Sequence, residues 1–107
     1  MIHFVARYEL LTDNMDAIDS KTDRMMEALL GKDDVEDPDI AVSLTEKTLE
    51  IGMVFDTVDA LTAIDQGVAA LRSAFDAAGL ELPTASVFAH DSLIGAPSDV
   101  RAELVSA

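Results

Sequence analysis

Residues 58–79, VDALTAIDQGVAALRSAFDAAG, carry a repeat that suits one backbone geometry. Leu61, Ile64, Val68, Leu71, Phe75 and Ala78 recur at steps of three and four, so they share one face of an α-helix. A stripe of small residues runs beside them: Ala60, Ala63, Gly67, Ala70, Ala74 and Ala77. Asp59, Thr62, Asp65, Gln66, Arg72, Ser73 and Asp76 fill the remaining side. Gly79 marks the C-terminal stop, because left-handed backbone is easiest without a Cβ. Burying each of the larger apolar side chains is worth about 1.5–3 kcal/mol before the entropy of ordering them. The helix is therefore expected to lie on a second layer, with Leu61, Ile64, Val68, Leu71 and Phe75 inward.

The rest of the chain supplies that layer. Ile2, Phe4, Ala6, Tyr8 and Leu10 alternate with His3, Val5, Arg7 and Glu9, the period of a strand with one buried face. Thr12 or Asp13 is expected to cap a first helix, whose Met15, Ile18, Thr22, Met25 and Leu29 follow at helical spacing before Gly31. Residues 31–39, GKDDVEDPD, read as an acidic, solvated loop without the glycine and glutamate spacing of a calcium-binding loop. Ile40, Val42 and Leu44 alternate, and Leu49, Ile51, Met53 and Phe55 alternate again. These are a second and a third strand joined by a hairpin at 45–48. Asp56 or Thr57 is expected to cap the second helix. Residues 84–90, TASVFAH, read as a fourth strand, and residues 99–105 as a short helix capped by Ser98.

The order β-α-β-β-α-β resembles the ferredoxin-like arrangement, an α+β sandwich of a four-stranded antiparallel sheet with two helices on one face. The expected division is a ferredoxin-like domain over 1–90 and a C-terminal tail over 91–107. Ala17-Ile18-Asp19 and Ala63-Ile64-Asp65 occupy matching points of the two helices, a faint internal echo. Fold alone assigns no function, since this arrangement hosts many.

Composition narrows the partners. The chain has 107 residues, enough for one domain, and half of them are hydrophobic. It has no cysteine, which removes disulfides, thiolate metal sites and cysteine nucleophiles. The 21 acidic residues against 7 basic ones give a net charge of −14. That balance argues against direct binding of nucleic acid or of anionic membrane. No apolar run approaches the roughly 20 residues of a membrane span, and MIHFVARYELL does not read as a signal peptide. A cytoplasmic protein is expected. The glycines stand apart, so no phosphate-binding loop is expected, and no serine sits in a nucleophile elbow. No cofactor is expected.

Three features bear on function. The first is a pair of histidines, the only two in the chain. Antiparallel pairing of strand four with strand one brings His90 beside His3. With strand three taken as parallel to strand one, Glu50 near its start approaches both. Such a group can transfer protons, with Arg7 as an anion anchor; no recognised ligand spacing supports a metal, and none is assigned. The second feature is the sheet face away from the helices. It is expected to carry His3, Val5, Arg7, Glu9, Ala41, Ser43, Thr45, Glu50, Gly52 and Val54, with Ser86, Phe88 and His90 if Val87 points to the core. Ser43, Gly52, Val54, Ser86 and Phe88 are the expected ligand pocket. Val5, Val54 and Phe88 would be costly to leave wet, so a homodimer is expected to bury them. The third feature is the row Asp16, Asp19, Asp23 and Glu27 on the first helix. Residues 13–39 hold ten acids and three bases, half the net charge. This face suits either solvent or a basic protein partner.

The function expected from these features is a small, acidic, self-associating α+β module that binds a small ligand or a protein partner without catalysis. A second reading, implied by the resemblance, is a cofactor-independent oxygenase or isomerase of the dimeric α+β barrel type, working on the open sheet face. A third is an acidic decoy of a basic or nucleic-acid-binding protein.

Overall fold

A computed structural model describes residues 1–80 and 94–104. The elements are β1 (Ile2–Leu10), α1 (Met15–Leu30), β2 (Glu36–Ser43), β3 (Thr48–Phe55), α2 (Ala60–Ala77) and β4 (Ile94–Leu104). The strands form one sheet in the order β2-β3-β1-β4, and every neighbouring pair is antiparallel. The class is α+β, with a four-stranded antiparallel sheet and two helices, as the periodicities imply.

The core lies between the helices and one sheet face. Ile2, Phe4, Ala6, Tyr8 and Leu10 from β1 join Leu49, Ile51, Met53 and Phe55 from β3. Ile18, Met25 and Leu29 of α1 and Ala63, Ala70, Leu71, Ala74 and Phe75 of α2 close over them. Among the described residues, no polar or charged one is buried. The Phe4 and Phe55 rings meet edge to face at 6.4 Å, and Tyr8 lies 5.4 Å from Phe75.

The α2 face differs from the expected one. Its contact line is the small stripe, with Ala63, Gly67, Ala70 and Ala74 all buried, while Leu61 is 73 % exposed and Ile64 and Val68 are half-buried. The cause is Phe4. A Cβ built on Gly67 would stand 2.6 Å from its ring carbons, so the helix backbone rests on the ring itself. A helix seated this closely turns its small residues down and lifts the larger ones onto its flank.

The helix ends also differ from expectation. Asn14, not Thr12 or Asp13, caps α1: its side-chain oxygen accepts from the Ala17 N–H at 3.2 Å. Asp59, not Asp56 or Thr57, caps α2, accepting from the Leu61 N–H at 3.2 Å and the Thr62 hydroxyl at 2.7 Å. Past the C-terminus of α2, Gly79 adopts φ +70°, the left-handed turn that glycine permits. The Leu80 N–H then donates back to the Phe75 carbonyl at 2.8 Å, closing a Schellman turn. Lys21 of α1 donates to the Ala78 carbonyl at 2.8 Å, tying the two helices together where α2 ends.

The strands correct further expectations. Residues 99–104 of the expected short helix over 99–105 are strand instead, and the strand beside β1 is Ile94–Leu104. Val100, Ala102 and Leu104 alternate with Asp99, Arg101 and Glu103, and that period of two prevails over the weak helical spacing. The expected strand over 84–90, with Ser86, Phe88 and His90, lies outside the described residues, as does the expected domain boundary at residue 90. Strand β3 runs antiparallel to β1, not parallel to it, because the tight β2–β3 turn reverses the chain beside a β2 that α1 has brought parallel to β1. Residues 36–39, expected within a loop, begin β2, and Thr45 lies in the turn between β2 and β3.

Candidate functional site

The sheet face away from the helices is the candidate site. The strand registers set its side chains in cross-strand rows. Glu103, His3 and Val54 form one row, and Arg101, Val5 and Gly52 the next. Asp99, Arg7, Glu50 and Ala41 form a third. Beyond it Glu9 stands opposite Thr48, which pairs with Ser43.

Val5 sits at the centre. It is only 4 % exposed, yet it lies outside the core cluster under the helices. Its burial therefore belongs to the second face. Gly52 beside it is also buried, and the side chain of His3 lies over it. A Cβ at position 52 would stand 3.0 Å from the His3 Nε2, so the imidazole leans across the glycine. His3, Val5, Gly52 and half-buried Val54 make a small apolar seat with one imidazole at its rim.

Charge surrounds the seat. Arg7 donates to Glu50 at 3.2 Å, and Arg101 pairs with Asp99 at 3.3 Å and with Glu103 at 3.8 Å. Such partly exposed pairs are each worth about 0–1 kcal/mol, so their effect is more to orient side chains than to stabilise. The face is acidic, because Glu9, Glu36, Asp39, Glu50, Asp99 and Glu103 outnumber Arg7 and Arg101. A neutral or cationic ligand is favoured there over an anionic one.

His3 and Arg7 lie on this face, but β3 antiparallel to β1 sets Glu50 opposite Arg7 and Val54 opposite His3. Glu50 thus engages the arginine and does not approach the histidine. On β4 the residue opposite His3 is Glu103. His90, Ser86 and Phe88 lie outside the described residues. Of the expected pocket, Gly52 and Val54 line the seat, while the Ser43 hydroxyl accepts from the Glu46 N–H in the β2–β3 turn. Asp16, Asp19, Asp23 and Glu27 are all exposed on α1. Among the described residues, no three His, Asp or Glu side chains are placed to hold a metal ion. Asp99, Arg101 and Glu103 are not expected on this face when residues 99–105 are read as a short helix; their alternation with Val100, Ala102 and Leu104 is the available signal.

Among the described residues, two titratable groups depart clearly from their ordinary behaviour, and both stand outside this face. Burial in the core pushes the Tyr8 phenol up to about 12. The Thr62 hydroxyl, then the Leu61 N–H, hold the Asp59 carboxyl below its usual value at the α2 cap. Both are explained by the fold.

No protein-family model, curated protein or solved structure matches this chain. Its function is therefore argued from the site. No helix among the described residues is long and apolar enough to cross a membrane.

Proposed function

We propose that the protein is a non-catalytic, self-associating module that offers its helix-free sheet face to a small ligand or to a segment of a partner protein. The observation that carries this reading is Val5, buried apart from the core at the centre of that face. An apolar seat rimmed by ion pairs is the usual composition of a binding surface: a dry centre for affinity and a polar margin for orientation. A ferredoxin-like classification is part of the proposal. It is supported by the β-α-β-β-α-β order and by β1 pairing antiparallel with both β3 and β4.

The test uses a neutral apolar dye, Nile red, titrated into the wild-type protein and into Val54→Asp, with sedimentation of the wild type at low and high salt. The expected outcome is saturable dye binding to a dimer and at least tenfold weaker binding by the variant. Equal binding by both proteins overturns the sheet face as the site. A wild-type chain that sediments as a monomer at both salts overturns self-association.

A further inference from the structure

We infer that self-association runs through β4: two copies pair these strands antiparallel about a two-fold axis at Ala102, joining their sheets into one. This rests on the self-association proposed above and assigns it a surface.

The two sheet edges differ. Strand β2 is interrupted for pairing over its first half, and its regular part, Asp39–Ser43, is the shorter of the two edges. Pro38 has no N–H, Asp37 takes a left-handed φ of 46°, and the register with β3 shifts between Glu36 and Asp39. Glu36, Asp37 and Asp39 add like charges, so a second edge meets repulsion as well as a broken ladder. Strand β4 is the opposite edge, and among the described residues β1 is its one hydrogen-bonded neighbour. Its first half is irregular, with register shifts around Tyr8 and with Pro97. From Asp99 to Leu104 the ladder with β1 is regular. That half presents a straight edge of the kind that accepts another strand. On its helix side Val100 is 45 % and Leu104 69 % exposed, although they continue rows that are buried at Ala6 and Ile2.

The side chains select the register. An axis normal to the sheet must set one residue opposite itself, because directly opposed residues share a face. With the axis at Ala102, Arg101 meets the partner's Glu103, and the same pair forms again across the axis. Val100 meets the partner's Leu104 on the other face. Opposite charges then pair on the ligand side and apolar side chains on the helix side. An axis at Arg101 sets arginine against arginine and Asp99 against the partner's Glu103. An axis at Val100 pairs Asp99 with the partner's Arg101, but it sets Glu103 against the partner's Pro97, which has no N–H to offer. Ala102 is the register that satisfies both faces.

The experiment measures dimer dissociation constants by sedimentation for the wild type, Arg101→Glu, Glu103→Arg and the double variant. Each single change is expected to weaken the dimer tenfold or more, and the double change to restore it. The chain has no cysteine, so Ala102→Cys gives a clean second reading. It is expected to form a disulfide-linked dimer on mild oxidation, whereas Ala41→Cys, on the sheet face, stays monomeric in denaturing gels. A wild-type dimer indifferent to the single changes, with Ala102→Cys not cross-linked, overturns the β4 interface and leaves self-association standing. Weakening by the single changes without restoration by the double change overturns the Ala102 register. A wild-type monomer at every concentration overturns self-association itself.

Discussion

Gly67 is where α2 meets the sheet, and no other residue fits there. The Phe4 ring is fully buried and cannot swing aside cheaply, so a methyl at position 67 must push the helix off the ring. Helix propensity alone makes Gly67→Ala a gain of about 1 kcal/mol. Overpacking costs about 1–3 kcal/mol and is expected to win at 2.6 Å. Denaturant midpoints at equal m-value check this, and the loss is expected to shrink in a Phe4→Leu background. Tyr8 sets an alkaline limit. Burial raises its phenol from 10.0 to about 12, so folding favours the protonated form. Its contribution is complete below pH about 10 and is lost as pH rises through about 12. Unfolding free energies between those limits are expected to fall more steeply for the wild type than for Tyr8→Phe.

Among the elements, α2 shows how far periodicity reaches. Spacing by three and four correctly implies a helix but does not fix its rotation when a large and a small stripe run side by side. Burial area alone puts Leu61, Ile64 and Val68 inward; the close seat on Phe4 puts Ala63, Gly67 and Ala70 there instead. The expected consequence is an asymmetry between two leucines of one stripe. Leu71→Ala, at 2 % exposure, is expected to cost about 2–5 kcal/mol, and Leu61→Ala less than about 0.5 kcal/mol. Chemical denaturation of both variants checks it. Strands β1 and β3 were legible because each has one strongly apolar face. The position of β4 was not, because its apolar residues Val100 and Leu104 lie at an edge and resemble one side of a short helix. The helical reading of 99–105 also hid half the candidate site. His3, Arg7 and Gly52 were readable as members of one face, but Arg101 and its carboxylate partners become neighbours only through a register that no local pattern encodes.

At the level of the whole molecule, charge opposes the proposed association. Two chains of −14 repel, and the exposed acidic row of α1 adds to the field of each. Salt screens that repulsion beyond about 8 Å under physiological conditions, while strands in hydrogen-bonding contact are affected far less. Sedimentation of the wild type is therefore expected to show a dimer that tightens as salt rises, the reverse of an interface held mainly by ion pairs. Asp37 and Pro38, which look like minor irregularities of β2, then bear on the size of the proposed assembly. A sheet with two receptive margins can recruit copies without end and grow into a fibre. With the β2 margin interrupted at Asp37 and Pro38, the pairing proposed through β4 is expected to stop at two copies.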